Sequence, residues 1–180
     1  MGRDRYKFLQ PDRPHFVTCI TISWIPLFSN PDLAGIIIES LKYMHDNKRM
    51  AIHGWVLMEN HIHLVATSDD LPKEIGIFKS FTARKIIDHL KEKNIKWYLD
   101  ELRFWKDEGK SDRKYQVWQE GSHPVIMETW TMYGRRLNYI HNNPVKRGYV
   151  ERPEHWRYSS AKDYYGQEKG LVPITKMERY

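Results

Sequence analysis

The sequence predicts an α+β domain of the ferredoxin-like, split βαβ kind: an antiparallel sheet covered by helices on one face, followed by a C-terminal tail. Three observations predict it. Short runs rich in β-branched and aromatic residues alternate with longer runs whose apolar residues recur every three or four positions. Their order reads strand, helix, strand, strand, helix, strand. With 180 residues, 41% hydrophobic and 29% charged, the chain has the size and composition of one globular unit rather than a disordered one.

The first strand is HFVTCITISW, His15 to Trp24, ended by Pro26. Ser29 or Asn30 can then cap a helix with Pro31 at its first position, in which Leu33, Ile37, Leu41 and Met44 recur at helical spacing up to about Asn47. AIHGWVLM (Ala51 to Met58) and HIHLVAT (His61 to Thr67) are two strands with only Glu59 and Asn60 between them. They form a hairpin, although Glu-Asn is not a favoured turn pair. Pro72 opens the second helix, where Ile75, Phe78, Thr82, Ile86 and Leu90 keep the apolar rhythm while Lys73, Lys79, Arg84 and Lys85 occupy its other faces. Residues Lys91 to Tyr115 are dense in charge, with a helical stretch around Ile95 to Lys106 and a soft loop at DEGKSDRK. QVWQ from Gln116 is a short strand candidate. A third helix spans about Thr129 to Asn142, with Tyr133, Leu137 and Ile140 as its apolar line; Gly134 weakens it and Pro144 stops it.

Composition narrows the function classes. There are 29 Lys+Arg against 23 Asp+Glu, a formal charge of +6, together with seven Trp, eleven Tyr and six Phe. Such a surface can hold phosphates and stack bases. It can equally be a rich core with ordinary solubility charge. No apolar run reaches the roughly 20 residues of a membrane span. The polar start MGRDRYKFLQ has no apolar stretch of signal-peptide type, and the single Cys19 cannot form an internal disulfide. The cytoplasm is the expected location.

His61 and His63 are one residue apart, so on a strand both imidazoles face one side while Ile62 and Leu64 face the other. Side by side they can hold one divalent metal if a third ligand comes from elsewhere; the same pattern also describes two polar-face histidines on a half-exposed strand. On the third helix, Tyr139 and Asn143 are four apart, with Arg135 and Arg136 a turn earlier on the same side. The amide could complete a metal site, the guanidiniums could hold phosphate, and the phenol could be a nucleophile. Alternatively, Tyr139 is a packing residue and Asn143 a helix cap. His45, His53, His89 and His123 read as structural or surface residues. The segment WRYSSAKDYY either packs a tail over the sheet or stacks on DNA.

Three blocks carry a family resemblance in the family's order: GWVLMENHIHLVATS (Gly54 to Ser68), FKSFTARKI (Phe78 to Ile86), and LNYIHNNPVKRGYV with WRYSSAKDYY after it. They resemble the REP-associated tyrosine transposases, a branch of the single-tyrosine HUH transposases, over most of the chain. The resemblance implies a nuclease and strand-transfer enzyme acting on single-stranded DNA that folds into hairpins, working as a monomer or homodimer. By the same resemblance His61 and His63 bind Mg²⁺ or Mn²⁺, Asn143 takes the place of a third amide ligand, and Tyr139 attacks the scissile phosphate. The product would be a 5′-phosphotyrosine link and a free 3′-OH, with no need of ATP. Lys79, Arg84, Lys85, Arg135 and Arg136 are the expected DNA-binding residues. Residues 1–150 are the expected catalytic domain and 151–180 a basic, aromatic tail on or near it. Gly134 and the stretch Lys91 to Lys114 depart from the family pattern and bear on target choice. The competing readings are a catalytically silent nucleic-acid-binding module of transposase descent and a zinc hydrolase or cupin-like metal enzyme using the His61/His63 pair. The second needs many more strands than three long helical segments leave room for.

Overall fold

A computed structural model describes residues 13–109, 111–122, 124–166 and 168–177. Its sheet is built from β1 (His15–Ile20), β2 (Ala51–Leu57), β3 (His61–Thr67) and β4 (Val125–Ile126), in the order β2-β3-β1-β4 with every pair antiparallel. Because β3 is inserted between β1 and β2, the arrangement is the split βαβ that the element order predicts. The helices are α1 (Pro31–Asp46), α2 (Leu71–Glu92), α3 (Lys96–Phe104), α4 (Trp130–His141), α5 (Asn143–Lys146) and α6 (Ala161–Tyr165).

Local chemistry sets the helix starts. The Asn30 side chain accepts from the Asp32 amide with Pro31 inside the first turn, Asp70 accepts from Lys73, and Thr129 accepts from Met132. Period-two alternation decides the sheet faces. Val17, Cys19, Ile62, Leu64 and Ala66 point to one side and pack with Leu33, Ile37, Leu41 of α1 and Ile75, Phe78, Ile86 of α2. Phe16, Val56 and Val65 point to the other, where they meet Tyr133, Leu137 and Ile140 of α4. The second face, expected to be free, is therefore half covered. Gly54 allows it, since a Cβ there would lie 2.3 Å from Leu137 Cδ2.

Three sequence expectations need correction. The first strand ends at Ile20 rather than Trp24, because Ser23 and Trp24 adopt left-handed φ of 48° and 58° in a 3₁₀ turn over Ile22–Trp24. Such conformations cost on the order of 1–3 kcal/mol each and need surroundings that enforce them. The Thr21 hydroxyl supplies part of that, lying 2.8 Å from the Ile25 carbonyl and 2.9 Å from that of Asn60. Next, QVWQ is not a strand: Trp118 makes one isolated bridge to Thr21, Gly121 turns the chain at φ 77°, and the fourth strand is Val125–Ile126. Finally, Pro144 does not simply stop the chain's helical course. It lies in the first turn of α5, where its missing N–H costs nothing.

The C-terminal residues cover the β2 edge. Leu57 donates to the Tyr158 carbonyl and Thr175 to that of Ile52, while Val172 joins the α1/α2 core. WRYSSAKDYY thus packs on the sheet: Ser159, Ser160 and Ala161 are buried, and the Ser160 hydroxyl accepts from the Trp55 amide. His123 lies outside the described residues. No helix among those residues is long and apolar enough to cross a membrane.

Candidate active site

The site is assembled on the α4 face, at the end of the sheet that α4 leaves uncovered. Period two places His61 and His63 there with ring centroids 4.7 Å apart. Each ring is fixed through Nδ1. His61 Nδ1 is 2.8 Å from Asn60 Oδ1, and His63 Nδ1 is 2.8 Å from the hydroxyl of Thr18, its cross-strand partner. An amide oxygen only accepts, so His61 carries its proton on Nδ1 and offers the lone pair of Nε2. Burial lowers the His61 pKa although Glu59 opposes it. Burial, helped by His61 and the Arg136 guanidinium, pushes His63 down to about 3. Both rings are therefore neutral at pH 7, the state in which an imidazole can bind a metal.

Tyr139 enters from α4. Its ring lies 5.6 Å from that of His63 and 6.2 Å from that of Phe16, which stacks on His63 at 5.1 Å. At 39% exposure the phenol is open to solvent, in contrast to the buried Tyr133 two positions before Arg135 on the same helix. Two cations flank this group: Arg136 sits 4.8 Å over the Phe16 ring and Lys146 Nζ 5.5 Å over the Tyr139 ring. The C-cap of α4 is Asn142 rather than Asn143; Asn143 opens α5, and its Nδ2 donates back to the Tyr139 carbonyl at 2.9 Å. It also lines, with His61, Trp24, Glu59, Asn60, Lys146 and Arg147, a pocket of about 340 Å³. The bond to the Tyr139 carbonyl uses Nδ2 and not Oδ1, so it and ligation do not compete for the same atom.

These residues fit a divalent ion in one way. No group of three or more His, Cys, Asp or Glu suited to a metal exists among the described residues. A metal held here would take two imidazole nitrogens from His61 and His63 and needs the amide oxygen of Asn143. That nitrogen and oxygen donor set suits a borderline or hard divalent cation.

The other expected residues separate. Arg136 joins the site, whereas Arg135 is exposed beside it. Lys79, Arg84 and Lys85 are on α2, across the sheet from the histidines. Lys79 is largely buried, with its ammonium on the Gln119 and Gly121 carbonyls at 2.6 and 2.9 Å. It ties down the segment that replaces the expected strand. Arg84 lines a separate cavity of about 950 Å³ between α2 and residues 112–121, and Lys85 lies over Phe81.

Several site residues escaped the sequence reading. Thr18 and Asn60 orient the imidazoles; Lys146 flanks the phenol. The pair Glu59–Arg147, 2.7 Å apart, joins the β2–β3 turn to the end of α5. Asn60 could have been suspected from its place beside His61, but Thr18 is identified only through strand register. His141 is also structural: it is fully buried, 2.8 Å from the Ser160 hydroxyl.

No protein-family model and no curated protein matches the chain. Solved structures do. A REP-associated tyrosine transposase bound to a REP hairpin is similar over 100% of this chain and 99% of its own, with a TM-score of 0.66 and 16% identity. A candidate transposase from Deinococcus radiodurans R1 is similar over 79% of this chain and 97% of its own, with a TM-score of 0.48 and 13% identity. The superposition extends over the full length of both chains, and this chain has the fold of a REP-associated tyrosine transposase.

Proposed function

We propose that the protein is a metal-dependent nuclease and strand transferase that cuts hairpin-forming single-stranded DNA through a covalent bond to Tyr139. One observation carries the reading: an exposed phenol stands 5.6 Å from an imidazole that is itself 4.7 Å from a second one, with both imidazoles neutral and tethered through Nδ1. Tyr133 of the same helix is buried, whereas Tyr139 stands exposed beside the His63 ring. Full-length likeness to a fold seen bound to a REP hairpin supports the same substrate class.

In this reading His61, His63 and Asn143 hold Mg²⁺ or Mn²⁺, which when bound polarises the phosphate and offsets the charge of its oxygens. The chain's own groups do the rest. Lys146 and Arg136 attract the phosphodiester to the Tyr139 hydroxyl. The Tyr139 oxygen attacks phosphorus and gives up its proton to water; the 3′ oxygen of the upstream strand leaves with the electron pair and takes a proton from water. The downstream strand stays on the enzyme as a 5′-phosphotyrosine, an ester that a free 3′-OH can reverse, so joining needs no ATP. Asn143, tied to the Tyr139 carbonyl, keeps ligand and nucleophile in fixed relation.

The test is cleavage of a hairpin oligonucleotide with a single-stranded flank, with Mg²⁺, with Mn²⁺ and with chelator. Cutting that stops with chelator and returns with metal supports the proposal. Binding without cutting under every condition would instead favour a catalytically silent module.

A further inference from the structure

We propose that Trp24 is a stacking platform for one unpaired nucleobase of the DNA, next to the phosphate that Tyr139 attacks; the inference rests on the nuclease reading above and adds a base-binding subsite to it.

Four observations lead there. Trp24 is 52% exposed, while Ile22 and Ile25 on either side of it are buried, so the turn is anchored and the indole is held outside. Its backbone is left-handed, as is that of Ser23 before it, a conformation a tryptophan does not adopt without enforcement. The enforcement is extensive. Ile22 donates to the Val117 carbonyl, Trp24 to that of Thr21 and Ile25 to that of Ile22, and the Thr21 hydroxyl adds its contacts to Ile25 and Asn60. Strain that is over-determined in this way clusters at ligand clamps.

The position matters as much as the strain. The indole lies edge-to-face with His61 at 6.0 Å and lines the same 340 Å³ pocket as His61, Asn143 and Lys146. Asn60 connects the two halves of this arrangement: its Oδ1 accepts from His61 while its Nδ2 donates to the Trp24 carbonyl at 3.3 Å. The same amide thus fixes an imidazole and the turn that carries the indole. A pocket of this size is at the low end of the ~300–1,000 Å³ of small-ligand sites, which suits one nucleotide and not a duplex. One wall is aromatic, for a base. Another carries Lys146, which makes no ion pair among the described residues and suits a phosphate. Arg147 is neutralised by Glu59. Aromatic and cation side by side are the two recognition elements of single-stranded DNA.

The test uses the whole protein and a hairpin oligonucleotide with a single-stranded flank of about ten nucleotides, within the span of one single-strand site. The fluorescent base 2-aminopurine is moved along the flank one position at a time, and anisotropy gives the affinity. Wild type should quench the probe at one or two positions. Trp24→Ala should abolish that quench and weaken binding about tenfold, Trp24→Phe should keep most of both, and an abasic nucleotide at the quenched position should weaken wild type as much as Trp24→Ala does while adding nothing to that variant. The abasic arm needs no mutation and stands even if a variant folds poorly. Equal quenching by Trp24→Ala, or wild-type binding indifferent to the abasic nucleotide, overturns the platform. The Tyr139 adduct, measured in the same wild-type samples, separates the two proposals. Adduct without Trp24-dependent quenching leaves the nuclease standing and removes the platform; quenching without adduct does the reverse.

Discussion

The two faces of the sheet differ in what they bury. Against α1 and α2 the side chains are almost all aliphatic or aromatic and nearly inaccessible, with Leu33, Leu41, Ile52, Leu64 and Ile86 at 0% exposure. Against α4 the packing is shallower, and the space beyond it holds two neutral imidazoles, an exposed phenol and two cations. The same strands serve both faces, because alternate residues of β3 are Ile62, Leu64 and Ala66 on one side and His61, His63 and Val65 on the other. On the proposed function, stability is concentrated on the first side and chemistry on the second, so mutations should split accordingly.

The largest effect should come from the histidines. His61→Ala and His63→Ala should each abolish cutting of single-stranded DNA, yet leave the circular dichroism spectrum and DNA binding close to wild type, since basic contacts supply much of the affinity. Cutting at the wild-type rate by either variant in the presence of metal would make the pair structural. Leu41→Ala should do the opposite. It should lower unfolding free energy by about 2–5 kcal/mol in urea titrations, with cutting per folded molecule unchanged well below its melting temperature.

Gly54→Ala sits between the faces. The added methyl meets Leu137 Cδ2 at 2.3 Å and Ile140 Cδ1 at 3.2 Å, so α4 or its side chains must give way, at about 1–3 kcal/mol. Because α4 carries Tyr139, cutting should fall together with stability, which kinetics run beside melting curves would reveal.

A smaller effect concerns His53, which is buried against the Thr175 carbonyl and the Thr67 hydroxyl. Burial lowers its pKa in the fold, so below about 6.5 the unfolded chain takes up a proton that the folded chain resists. Stability should be complete above that pH and fall as the solution is acidified, and His53→Gln should flatten the dependence. The last difference touches binding alone and leaves the fold unchanged: affinity for a flanked hairpin should fall as salt rises and exceed that for the fully paired duplex. Equal affinity for the duplex, read by anisotropy, would favour a generic duplex binder.

What was legible in the sequence follows from the range of the signals. Alternation in HIHLVAT and the 3/4 rhythm from Ile75 to Leu90 are local, and they foretold strand, helix and facing. The cap expected at Ser29 or Asn30 is equally local, and Asn30 fills it. The fourth strand was misplaced because two residues, Val125 and Ile126, carry no periodicity, while QVWQ carries β-propensity but is held by Lys79 and a single bridge. Lys79 itself looked like a phosphate contact because a helix face reads as solvated until another segment is seen to cover it. Thr18 and Trp24 were hidden for a related reason. One reaches His63 only through strand register, and the other leaves its strand only because Ser23 and Trp24 turn left-handed.

The central claim is that Tyr139 is the nucleophile, and the most direct measurement is a covalent adduct mapped by mass spectrometry. Wild-type protein incubated with metal and a flanked hairpin labelled in its downstream strand should retain the label under denaturing conditions, on a peptide carrying 5′-phosphotyrosine at Tyr139. Tyr139→Phe, which removes only the attacking oxygen, should bind DNA normally and retain none. An adduct on Tyr133, Tyr149 or Tyr158, or a labelled Tyr139→Phe protein, would contradict the account.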